Sequence, residues 1–258
     1  MRKAYRTVPK SHKGDTMKET LTLSPRLSTA AALIRKGAIL VDVGTDHAYL
    51  PIYLCLTGKI QGGAVSDINR GPIERARDNI KKYGLEQRLA TKQTDGLYGM
   101  ETAKPTDISI LGMGGELIAR IIDDAPLVKN KDIQLCLQPM THPELLRAYL
   151  CENGFEIIDE RLVRDDKIYQ LILARYNGKS YELSAEELLL GRVNIQKGGE
   201  LLTELAEKYI ETLQKQIAGI ESAGKSAHTQ KDMITRLEAV IGRCDAATRG
   251  REDAIDAF

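Results

Sequence analysis

Residues 39–51 read Ile39-Leu-Val-Asp-Val-Gly-Thr-Asp-His-Ala-Tyr-Leu-Pro51, and the fold follows from them. The run Ala38–Val43 is mostly apolar, the pattern of a strand buried on both faces rather than one. Gly44 supplies a tight turn, because glycine alone enters left-handed conformations without a steric cost. Pro51 is tolerated in a helix only within its first turn, so a helix starts near Tyr49. A strand, a glycine turn and a helix in this order seat an adenosine-containing ligand at the carboxyl edge of a parallel sheet.

Outward from this stretch, the alternation continues. Ser24-Pro25 opens an upstream helix whose Leu27, Ala30, Ala31 and Ile34 share one face, and Gly37 ends it. Downstream, a short strand over Gly63–Ser66 ends at Asp67, followed by a helix over Pro72–Tyr83 and a strand over Leu89–Gln93. The run Ile108–Leu111 ends in a glycine loop, Gly112-Met-Gly-Gly115, before a helix over Glu116–Asp123. Ile133–Leu137 ends at Gln138-Pro139 before a helix over Pro143–Asn153. Phe155–Val163 and Lys167–Tyr176, separated by Arg164-Asp165-Asp166, form a hairpin, so the last strand runs antiparallel. The expected fold is α/β, Rossmann-like, with a seven-stranded sheet that resembles the class I methyltransferase fold.

After residue 178 the character changes. Leu202, Leu205, Tyr209, Leu213, Ile217 and Ile220 step by three or four along a charged helix starting near Glu200. Ile234, Leu237, Ile241 and Cys244 mark a second helix beyond a break at His228. Together they predict a helical hairpin or short antiparallel coiled coil. The predicted organisation is a disordered basic extension over residues 1–20, a catalytic domain over 21–178, and a helical domain over 179–258 that frays from about Ala246. Met17 is a possible alternative start.

With 42% hydrophobic and 28% charged residues, the chain reads as soluble and globular. A net charge of +1 gives no global attraction to nucleic acid, so RNA binding requires a local basic face. Cys55, Cys136, Cys151 and Cys244 show no CxxC spacing and are expected to be reduced packing residues of a cytoplasmic protein. No membrane span and no metal are expected, and the expected state is a monomer.

A dinucleotide would require Gly-x-Gly-x-x-Gly, whereas only Gly44 is present and Asp46 would repel a pyrophosphate. A ligand without phosphate that carries a positive sulfonium, S-adenosyl-L-methionine, suits this turn. Asp67, 23 positions after Gly44, can accept from both ribose hydroxyls, and Asp95 from the adenine amino group. Asp42 either receives the methionyl ammonium or only holds the turn. His47 either touches ligand or fixes the turn. Asp46, or backbone carbonyls of Gly112, Met113 and Gly114, would stabilise charge developing on a methylated base; Tyr49 either stacks on that base or packs the helix start.

Asp42-Val-Gly-Thr-Asp-His-Ala-Tyr-Leu-Pro51, Asn69-Arg-Gly-Pro72, Asp95-Gly-Leu97, Gly112-Met-Gly-Gly115, Leu137-Gln-Pro139 and Lys167-Ile-Tyr169 together resemble the motif series of the bacterial tRNA (adenine-22-N1)-methyltransferase family. The resemblance spans about residues 23–176 and extends to the C-terminal hairpin. It implies S-adenosyl-L-methionine as donor and tRNA as acceptor, with Asp42, Gly44, Asp46, His47, Asp67, Ile68, Asn69, Asp95, Gly96, Gly112 and Met113 around the donor. Because N1 of adenine lies on the Watson–Crick edge, the target base must be unpaired or extruded. Arg26, Arg35, Lys36, Arg70 and Arg75, with Arg77, Lys81, Lys82 and Arg88, are the candidate phosphate contacts. The competing readings are a methyltransferase for another RNA, a protein or a small molecule, and an RNA-binding protein that keeps the fold without turnover.

Overall fold

The computed structural model describes residues 21–255, with side chains through Cys244. Strand β1 (Ala38–Val43) is covered on both edges by parallel neighbours, β2 (Ile60–Asp67) and β4 (Asp107–Gly114). With β3 (Leu89–Gln93), β5 (Gln134–Thr141), β6 (Phe155–Arg164) and β7 (Ile168–Tyr176), they form one seven-stranded sheet in the order β3-β2-β1-β4-β5-β7-β6. β7 is inserted antiparallel between β5 and β6, the hairpin expected from the sequence.

Two apolar layers sandwich the sheet. On one face α1 (Pro25–Leu33), α2 (Tyr49–Leu56) and α3 (Arg70–Lys82) bury Ala30, Ile34, Ile52, Leu54 and Ile80 against Leu40, Leu171 and Leu173. On the other, α4 (Gly115–Asp123) and α5 (Pro143–Glu152) bury Ile118, Ile122, Leu146 and Leu150 against Val41, Ile110, Leu135 and Ile172. The Ser24 hydroxyl accepts from the Leu27 N–H at 3.4 Å and caps α1 as its sequence suggested.

Three boundaries differ from expectation for physical reasons. β2 begins at Ile60 rather than Gly63, because Gly62 and Gly63 serve close backbone approach. A Cβ on Gly63 would stand 1.8 Å from the Leu40 carbonyl oxygen. α3 begins at Arg70, two residues before the proline expected to open it. The expected glycine loop at 112–115 is a correction: residues 112–114 continue β4 as a bulged extension pairing Met113 with Pro139 and Gly114 with Thr141, and Gly115 opens α4.

Beyond the sheet, α6 (Ala185–Leu190) and α7 (Arg192–Lys197) precede the hairpin of α8 (Glu200–Ser222) and α9 (His228–Ile255). The two short helices were not expected, although Ser184 and Glu187 form a reciprocal capping box that their spacing signals. The backbone of α9 continues to Ile255, past the residue near which fraying was expected. Leu190, Leu202, Leu205, Ala206, Leu237, Val240 and Cys244 make a third core, joined to the sheet through Ile168.

That junction contains a buried polar knot. Arg147 and Glu160, each with a fully buried side chain, pair at 2.7 Å. Arg147 also donates to the Leu188 and Leu189 carbonyls at 2.8 and 3.1 Å and to Gln170 at 2.7 Å, and Glu160 accepts from the Val193 N–H at 2.9 Å. All four cysteines are buried, and none of them forms a disulfide among the described residues. Among the described residues no helix is long and apolar enough to cross a membrane. The expected basic extension, residues 1–20, lies outside the described residues.

Candidate active site

The carboxyl ends of β1 and β4 open into a cleft of about 710 Å³, lined by Arg26, residues 42–50, Arg75, Leu111 and Gly112. This size is that of a small-molecule site. The turn that shapes it is fixed at several points. Gly44 has φ +74° and donates its N–H to the Ser66 carbonyl at 2.8 Å. The Thr45 hydroxyl accepts from the Ala48 N–H at 2.9 Å, holding Ala48 in a left-handed conformation, φ 57°. The Asn79 amide donates to the His47 carbonyl at 3.0 Å.

Asp42 lies at the floor. Register places it opposite Ser109 on β4, whose hydroxyl donates to it at 2.6 Å. Burial pushes its carboxyl from the ordinary 3.8 up to about 6, against the lowering effect of the Ser109 and Thr45 hydroxyls. Asp42 therefore holds the turn while lining the cleft.

Asp46 lies on the wall of the cleft. Its carboxylate accepts from Arg75 Nε at 3.0 Å and lies 3.1 Å from His47 Nε2. Arg75, a candidate phosphate contact, thus lines the cleft wall and offsets the Asp46 charge. His47 stacks on Tyr49 at 5.1 Å with rings 10° from parallel, so both aromatic side chains stand at the cleft as a pair.

Asp67 ends β2, and one carboxylate oxygen accepts from the Asn69 N–H at 2.7 Å; the other has no protein partner among the described residues. Ile68 is exposed beside it, its carbonyl accepting from Gln93 at 3.1 Å. The Ser66 hydroxyl donates to the Gly96 carbonyl at 3.0 Å, tying the end of β2 to the loop after β3. Asp95 and Gly96 line a separate hollow of about 230 Å³ with Tyr98 and Arg120, rather than the main cleft.

Gly112, φ +80°, lines the cleft, and Arg26 reaches over it: a Cβ on Gly112 would lie 3.6 Å from Arg26 Nη1. The Met113 side chain leans back on the turn, so that a Cβ on Gly44 would meet its methyl at 1.9 Å. Gly114 pairs with Thr141 on β5.

The remaining cations divide. Arg70 is exposed at the start of α3 and pairs with Glu74 at 2.6 Å. Arg35 sits away from the cleft, at the opposite, amino-terminal edge of the sheet. There it pairs with the buried Asp107 at 2.9 Å and donates to the Asp132 carbonyl at 2.8 Å. Lys36 follows it on that edge, exposed, and Arg88 donates to the Cys55, Ile60 and Gln61 carbonyls there. Thr45, Ser109, Asn79 and Gln138, which brace the site, were not singled out, since hydroxyl and amide residues at these positions carry no periodic signal.

Comparison with known proteins fits this geometry. Residues 23–172 match a family model described as a methyltransferase domain. The chain is 31% identical over 228 residues to the tRNA (adenine(22)-N(1))-methyltransferase of Bacillus subtilis, covering 84% of this chain and 95% of that one. A solved Rossmann-superfamily protein from Streptococcus agalactiae is 30% identical, with TM-score 0.79, over 86% of this chain and 98% of its own. TrmK of M. capricolum, solved with the natural cofactor product S-adenosyl-homocysteine, is 27% identical, with TM-score 0.71, over 86% and 98%. The chain belongs to the tRNA (adenine(22)-N(1))-methyltransferase family.

Proposed function

We infer that this protein methylates N1 of adenine 22 in tRNA with S-adenosyl-L-methionine as donor. The observation that carries the reading is the cleft at the carboxyl ends of β1 and β4. Its turn has one glycine, its floor a carboxylate, and its wall the Asp46–Arg75 pair where a dinucleotide site would need bare backbone. These residues fit the donor. Asp42 faces the cleft for an ammonium, and the unpartnered oxygen of Asp67 suits ribose hydroxyls. Ile68, Asn69 and Gly96 would border the nucleoside, and Asp95 would reach the adenine from its own hollow.

The donor supplies an electrophilic methyl group on a sulfonium. Adenine N1 already has a free lone pair, so no side chain has to remove a proton to create the nucleophile. The protein's contribution is alignment and exclusion of water. Gly112 keeps the wall low enough for a flat base to approach β4, and the backbone carbonyls of 112–114 would accept from the adenine amino group. Positive charge gathers on the ring as the bond forms, and those carbonyl dipoles favour it. The Asp46–Arg75 pair is a structural wall in this scheme rather than an isolated counter-charge. Arg26 and Tyr49 at the cleft, with Arg70 exposed at the start of α3, would contact the RNA.

In this reading residues 21–178 carry the chemistry and the C-terminal helices grip the RNA. The test is methylation of an unmodified tRNA transcript by purified protein, with mass-spectrometric mapping of the product. N1-methyladenosine at position 22 is expected, and a transcript with guanosine there should stay unmodified. Absence of product on the adenosine transcript, or methylation at another nucleotide, would overturn the reading.

A further inference from the structure

Arg26, which lines the cleft, meets the motif Lys167-Ile-Tyr169. The Arg26 guanidinium carbon lies 5.4 Å from the centroid of the Tyr169 ring, and Lys167 Nζ lies 5.2 Å from the same centroid. Tyr169 is 7% exposed, so its ring is a support within the structure and not a free platform for a base. Its hydroxyl donates to Asp166 at 2.7 Å. Burial, with that bond and the Asp166 charge, raises the phenol to about 12, so the ring stays neutral. A second support comes from Gln138 at the end of β5. It is fully buried; its amide nitrogen donates to the Pro139 carbonyl at 2.8 Å and contacts Met140 Sδ at 3.5 Å. Its oxygen is thereby turned toward Arg26 Nη1, which donates to it at 2.7 Å.

Arg26 has no carboxylate partner among the described residues, unlike Arg35, Arg70, Arg75 and Arg147. Four of its five N–H donors remain available. An uncompensated guanidinium over Gly112 opposes methyl transfer, because the donor is cationic and the methylated base becomes so. The arrangement favours the reaction only when an anion arrives with the base. An extruded nucleotide brings one, since its own phosphates flank it within one backbone unit.

We propose that Arg26 grips a phosphate flanking the target adenosine, and that Tyr169 and Gln138 are positioning residues that hold the guanidinium in place for it, with Lys167 as a second cation. This rests on the reading of the cleft as an RNA methylation site. Lys167 is exposed and balances Asp166 across the ring. A planar fork braced on one face by a ring and at one end by an amide loses little freedom on binding phosphate.

The experiment measures kcat and KM for the tRNA transcript, donor affinity by calorimetry, and tRNA affinity as a function of salt. It compares wild type, Arg26→Gln, Tyr169→Leu and Tyr169→Phe. Arg26→Gln should raise the tRNA KM about tenfold and lower the salt slope of log affinity by about 1, with donor affinity unchanged. Tyr169→Leu should shift KM in the same direction, and Tyr169→Phe, which keeps the ring, should recover most of the loss. An unchanged salt slope in Arg26→Gln overturns the grip. Equal KM for Tyr169→Leu and wild type, with both folded by circular dichroism, overturns the positioning role. If wild type itself leaves the tRNA unmodified, the functional reading fails instead, and the salt slope of Arg26→Gln still decides whether Arg26 contacts RNA phosphate.

Discussion

At the scale of single residues, Asp42 sets function against stability. Its folded carboxyl titrates near 6 instead of 3.8 because it is buried, so the native state holds a proton that the unfolded chain has released between those values. Stability from this group is full below pH 3.8 and is lost as pH rises through 6. At pH 7.5 the buried anion costs on the order of 3 kcal/mol. Asp42→Asn keeps an acceptor for Ser109 and removes the charge. Urea unfolding should show the variant more stable by up to ~3 kcal/mol at pH 7.5, with the difference vanishing toward pH 4. Calorimetry should show weaker donor binding at pH 7.5, because in the proposed site the ammonium would lose its partner. Equal stability of variant and wild type at both pH values would contradict the burial argument.

At the scale of elements, the strand-turn-helix at 38–56 was legible because a continuous apolar run, one glycine and one proline leave few alternatives. The strand and helix ends read from it, Ala38–Val43 and a start at Tyr49, are those observed. The glycine segment at 112–115 was misread because glycine signals both a loop and a bulged strand. Only the pairing of Met113 with Pro139, a contact across sequence, distinguishes them. The same limit hid Arg35 and Arg88: basic residues near the cofactor motifs in sequence lie on the far edge of the sheet, because each helix between strands carries the chain back across it. Arg147 was hidden more thoroughly. Nothing in Leu145-Leu146-Arg147 distinguishes a buried arginine from a solvated one until Glu160, thirteen residues on, closes the pair.

That pair also yields a prediction about elements. Removing one partner leaves a buried charge, so Arg147→Met or Glu160→Leu alone should cost about 3–5 kcal/mol in urea unfolding, while the double variant should recover much of the loss. Hydrogen exchange should locate the damage in α6 and α7, whose carbonyls and the Val193 amide the pair satisfies. Additive losses in the double variant would show that the backbone contacts matter and the charge pairing does not.

At the scale of the whole molecule, the C-terminal hairpin is anchored at one end only. Leu202, Leu205 and Ala206 of α8 and Leu237, Val240 and Cys244 of α9 are buried near the sheet, whereas α8 from Gln214 to Ser222 and the start of α9 are exposed or half-exposed. A helix of 23 residues is about 34 Å long, so the outer half extends well beyond the core that holds it. Exposed length of this kind adds little stability and much reach. Lys215 and Lys225 on the outer half have no ion-pair partner among the described residues, while Lys231 pairs with Glu221 at 2.7 Å. Replacing residues 215–235 with a short Gly-Ser turn keeps the anchored core, including Leu213 and Leu237. The shortened protein should bind donor as the full chain does and unfold within about 1 kcal/mol of it, because few buried contacts are removed. Its affinity for tRNA should fall about tenfold or more, with a shallower salt dependence as phosphate contacts are lost. Equal tRNA affinities for the two proteins would assign the hairpin to packing, and a change of mass in light scattering would assign it to self-association. Because donor binding reports on the catalytic unit independently, a misfolded variant is distinguishable from a fold that has lost only its grip on RNA.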